Sequence, residues 1–101
     1  MTTKRFYRRR FLNRRGFHAG AYVLADCQID VFRPLSGAPQ YSIDAQLTVA
    51  DCGRIATIDF AASDEATARN ALHKARLLRD VVVDFTAALE ATVDDWRDRQ
   101  G

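Results

Sequence analysis

Residues 4–15, Lys-Arg-Phe-Tyr-Arg-Arg-Arg-Phe-Leu-Asn-Arg-Arg, interleave cationic groups with aromatic rings. A guanidinium pairs with phosphate oxygens through two parallel hydrogen bonds and stacks on bases, and Phe or Tyr rings offer faces for unpaired nucleotides. This stretch therefore predicts binding of nucleic acid, a nucleoprotein or another acidic partner by Lys4, Arg5, Phe6, Tyr7, Arg8, Arg9, Arg10, Phe11, Arg14 and Arg15. Neutralising about five to seven phosphates would make such binding steeply salt-dependent. The first sixteen residues hold seven of the fifteen Lys and Arg and none of the thirteen Asp and Glu, so a basic arm is joined to an acidic body. A local role competes with an external partner: the arm as an extra edge strand, or laid across acidic residues of its own chain.

No other constellation points to chemistry. Cys27 and Cys52 have neither CxxC spacing nor paired histidines, and in the antiparallel register that places Ile29 near Ile43 they lie roughly 23 Å apart along a strand, too far to bond. Cys27 reads as a small buried apolar residue and Cys52 as an exposed turn residue with no base in view. His18 and His73 lack a second ligand at helical spacing and read as solvated, so no metal is expected. Glycine-rich phosphate loops, HExxH and GxSxG are absent from the sequence. The expectation is a protein that is not an enzyme and takes no cofactor.

A domain must position the arm, and 101 residues suffice for one. The division expected is residues 1–16 as the basic arm, flexible or an extra edge strand, and 17–101 as a single domain. The odd positions from Phe17 to Val31 are apolar, with Tyr22 and Leu24 as exceptions among the even ones, predicting a strand over about 19–32. Both prolines fall in the loop RPLSGAPQ. Tyr41 to Val49 alternates cleanly, and Asp51-Cys52-Gly53-Arg54 has the form of a tight hairpin leading into a strand over 54–61. Pairing Asp51 with Arg54 sets Val49 against Ala56 and Leu47 against Ile58, apolar against apolar. The other face collects Asp26, Asp30, Asp44 and Asp59, a solvated surface or a candidate face for a basic partner.

Ser63 is expected to cap a helix over about 64–97, with Val81-Val82-Val83 as a point of bending or breakage. Roughly 34 residues at 1.5 Å each make a rod of roughly 50 Å. Three strands at about 4.8 Å spacing cannot cover it. The excess predicts a homodimer, with Leu77, Val81, Ala88 and Trp96 as candidate contacts.

The fold class expected is α+β: a three-stranded antiparallel meander packed on one long C-terminal helix (β-β-β-α), with a basic N-terminal arm. That order resembles the arm-binding domains of phage-type integrases in element order alone. The resemblance implies DNA reading by the open sheet face, which is acidic here and repels phosphate. The function expected is a non-enzymatic interaction module binding nucleic acid or a nucleoprotein through the arm. The alternative is a protein-binding adaptor or inhibitor of the kind mobile elements encode, such as an anti-defence or antitoxin-like protein, acting through the acidic face or the overhanging helix. Lacking an apolar run of about 18 residues and a signal-peptide core, the chain is expected to be cytoplasmic, with no membrane partner. The Arg-rich start lacks the serine enrichment of an organellar transit peptide.

Overall fold

The structure, a computed structural model, describes residues 5–101. The strands are β1 (Phe6–Phe11), β2 (Tyr22–Phe32), β3 (Gln40–Asp51) and β4 (Arg54–Asp59), and a helix, α1 (Glu65–Gln100), follows. The protein is α+β with one long C-terminal helix, but its antiparallel sheet has four strands in the order β1-β2-β3-β4, where the sequence predicts three.

The added strand is the basic arm. β1 pairs with β2 through Phe6↔Cys27, Arg8↔Ala25 and Arg10↔Val23, with Tyr7↔Asp26, Arg9↔Leu24 and Phe11↔Tyr22 alternating on the opposite face. Neither face of β1 is apolar, so it carries no period of two for sequence reading to detect. Phe6 and Phe11, an odd number of residues apart, point to opposite faces rather than sharing the core. Charges on a sheet edge are an ordinary device against edge-to-edge association.

The remaining register agrees with the sequence reading residue by residue: Ile29↔Ile43, Val49↔Ala56, Leu47↔Ile58 and Asp51↔Arg54. The backbone N–H of Phe60 donates to the Ala45 carbonyl at 2.9 Å, extending that register beyond β4. The hairpin turns on Cys52 (φ 50°) and Gly53 (φ 80°), both left-handed, the pair of positive angles a two-residue turn needs to match strand twist. Glycine takes such a φ freely, whereas cysteine carries a steric penalty.

Asp64, not Ser63, caps the helix. Its Oδ1 accepts the Thr67 backbone N–H at 2.8 Å, while the backbone N–H groups of Ser63 and Asp64 donate to Thr67 Oγ1, both at 3.1 Å. Those bonds from Thr67 hold the Asp64 carboxyl below the usual aspartate range. The helix runs unbroken through Val81-Val82-Val83 to Gln100. No helix of the described residues is long and apolar enough to cross a membrane.

The chain divides into two units, one through Ala71 that holds the sheet and the first turns of α1, and one of Leu72–Gly101. Among the described apolar residues only Ala21, Ala50 and Ala62 are buried. Cys27, expected in the core, is exposed, because its face of β2 is left open at that position.

Candidate nucleic-acid interface

β1 and the β1–β2 loop carry the basic residues, and the strand alternation divides them. Arg8 and Arg10 lie on the face of Cys27 and Ala25, and Arg9 lies on the face of Asp26. As the outermost strand, β1 presents arginines on both sides of one sheet edge. Lys4 lies outside the described residues.

Rings hold several of these side chains. The Arg8 guanidinium carbon sits 5.2 Å from the Phe6 ring centre, and that of Arg9 sits 5.5 Å from Phe11 and 5.4 Å from Tyr22. Such cation–π contacts restrain a long side chain without neutralising it. The rings remain open to solvent, Tyr7 being 54% and Phe11 61% exposed.

The loop places two more arginines at a turn. The Phe17 N–H donates to the Arg14 carbonyl at 3.0 Å, and Gly16 at the third turn position takes a φ of 95° that a side chain would resist. Asn13 Nδ2 donates to the His18 carbonyl at 2.7 Å, and the Leu12 N–H donates to the Ala21 carbonyl at 2.9 Å, so the loop is pinned at several points.

Arg5 behaves differently. Its Nε and Nη2 donate to Asp26 Oδ1 and Oδ2 at 3.2 and 3.1 Å, a two-pronged ion pair on a carboxylate whose side chain is only 17% exposed. The hydrogen bonds to Asp26, and then its charge, raise the guanidinium pKa above its already high value. Arg5 is thus already engaged by a carboxylate. Arg8, Arg9, Arg10, Arg14 and Arg15 make no ion pair among the described residues.

The four aspartates gather on one face as the register requires, with Asp26, Gln46 and Asp59 in a row and Gln28 beside Asp44 in the next. Gln28 Nε2 lies 3.3 Å from Asp30 Oδ1 and 3.5 Å from Asp44 Oδ2. With Asp26 held by Arg5 and Gln28 bridging its neighbours, much of this face is satisfied within the chain. Among the described residues no cluster of three or more His, Cys, Asp or Glu is arranged to hold a metal ion.

One contact escapes sequence reading. Cys52 Sγ lies 3.4 Å from His18 Nε2, across thirty-four positions of chain that only the sheet brings together. The pairing is ill-suited to a thiolate nucleophile. The Gly20 backbone N–H donates to His18 Nδ1 at 3.0 Å, so the neutral ring carries its proton on Nε2, facing the sulfur, where a general base would need a lone pair. A Cβ at Gly20 would stand 2.4 Å from His18 Cε1, so a side chain there would displace the ring from this contact.

Leu77, Val81 and Trp96, expected at a dimer contact, are all more than half exposed, and Ala88 is exposed as well. Comparison with protein-family models, curated proteins and solved structures finds no match to this chain.

Proposed function

We propose that this protein is a non-enzymatic module that binds nucleic acid through the β1 edge and the β1–β2 loop. Arg8, Arg9, Arg10, Arg14 and Arg15 neutralise phosphates, and Tyr7 and Phe11 offer rings to unpaired bases. The observation that supports this reading is the set of five arginines without a carboxylate partner among the described residues, three on the β1 edge and two in the adjoining loop, beside one arginine that the fold does neutralise. Had the arm served only to cover the acidic face, Arg9, which lies on the face of Asp26, would be paired as Arg5 is, and Arg8 and Arg10 would not lie on the opposite face.

The test is fluorescence anisotropy with a labelled oligonucleotide, single-stranded and duplex in parallel, comparing the native chain with an Arg8→Ala/Arg9→Ala/Arg10→Ala variant whose circular dichroism is unchanged. The reading expects the variant to bind much more weakly, with the residual affinity carried by Arg14 and Arg15. Retained affinity would place the contact elsewhere.

A further inference from the structure

No residue of α1 is buried, although helices in proteins owe most of their stability to a packed apolar face. The β-branched run Val81-Val82-Val83 lowers the intrinsic propensity at its centre. The apolar stripe is open: Val82 is 51% exposed, Phe85 62%, Leu89 48% and Trp96 57%. Its positions alternate steps of three and four, from Ala68 through Ala71, Ala75, Leu78, Val82, Phe85 and Leu89 to Trp96, the 3.5-residue repeat of a two-helix seam, with Thr92, whose hydroxyl donates to the Ala88 carbonyl, as the one polar position.

We propose that a second copy of this chain covers the seam, helix against helix and antiparallel. Three properties of the helix select that occupant and that direction. The first is size. The seam is narrow at its N-terminal end, with Ala68, Ala71 and Ala75, and bulky at its C-terminal end, with Leu89 and Trp96. Parallel copies in register would set alanine on alanine and Trp96 on Trp96, leaving voids at one end and crowding at the other. In the antiparallel arrangement, the register that sets Val82 against the partner's Phe85 also sets Leu78 against the partner's Leu89 and Ala71 against the partner's Trp96.

The second property is charge. From Glu65 to Arg79 the helix carries four bases (Arg69, Lys74, Arg76, Arg79) against one acid, and from Asp80 to Gln100 it carries six acids against two bases. An antiparallel pair lays each basic half along an acidic half, whereas a parallel pair lays like on like. Exposed pairs of this kind add little affinity but set orientation. The third property is area. At roughly 100 Å² for each large side chain along the seam and its flanks, one helix offers on the order of the 800 Å² per partner that a stable interface buries. Leu77, by this register, lies off the seam, while Val81 flanks it beside the partner's Ala88.

Sedimentation equilibrium of the full chain at micromolar concentration tests the stoichiometry, and the expected mass is twice 11.4 kDa. Phe85→Glu should weaken the dimer by at least roughly a hundredfold, because its carboxylate would be buried without a partner. Direction is read from a Cys27→Ser/Cys52→Ser chain that also carries Leu78→Cys and Leu89→Cys, oxidised and mapped by mass spectrometry. Within one helix positions 78 and 89 are roughly 16 Å apart, beyond disulfide reach, so a 78–89 link must join two copies. That link is the expected result. A monomeric native chain, a higher oligomer, or links joining 78 to 78 and 89 to 89 would overturn the proposal.

Discussion

At the scale of single residues, Asp26 decides which arginines are available. It takes the guanidinium of Arg5 through two hydrogen bonds and leaves those of Arg8, Arg9 and Arg10 without a carboxylate. Asp26→Asn should therefore release Arg5, tighten nucleic-acid binding and steepen its salt dependence by about 0.9 on a log–log plot for duplex DNA. A variant with the native slope would show that Arg5 never reaches phosphate. Asp64 makes a separate prediction about pH. Its folded carboxyl pKa lies below its unfolded value near 3.8, so its contribution to stability is present above that value and fades as the pH falls through the lower, folded one. Thermal melts between pH 7 and pH 2 should show Asp64→Ala less stable than the native chain at neutral pH, with the difference shrinking in acid. Asp64→Asn, which retains a capping oxygen, should fall between them. The Asp26 row was legible in the sequence because strand alternation and one hairpin determine it. The Arg5 ion pair and the Cys52–His18 contact were not, since both depend on where the first twenty residues fold.

At the scale of elements, β1 changes what the arm is. A charged segment with no apolar face looks separable in sequence, yet its backbone supplies the ladder that covers the β2 edge from Tyr22 to Cys27. Deleting residues 1–16 should consequently lower the melting temperature and promote association through the bared β2 edge, whereas a dispensable tail would leave both unchanged. The β3–β4 hairpin was readable because Gly53 and the matched apolar pairs make the same demand on register. Gly53→Ala should destabilise the fold by about 1 kcal/mol in urea titration, through the positive φ that alanine resists. The helix was likewise evident from its spacing. The cap at Asp64 rather than Ser63 is not signalled in the sequence, because Thr67, not a Glu or Gln, closes the capping interaction.

At the scale of the whole molecule, a net charge of +2 conceals a basic sheet edge and a surplus of acids in the remaining chain. The fold neutralises one arginine of that edge and holds others against rings, an arrangement that keeps cationic groups in place for a polyanion. Binding through them should be governed by counterion release. The direct measurement is the affinity of the full chain for an oligonucleotide as a function of salt. With all five arginines on phosphates, log K against log salt should fall with a slope of about −4.5 for duplex or about −3.5 for single-stranded DNA, and the Arg8→Ala/Arg9→Ala/Arg10→Ala chain should show a slope shallower by about 2 to 3. Absence of binding at low salt, or an unchanged slope in the triple variant, would contradict the assignment of this edge to nucleic acid.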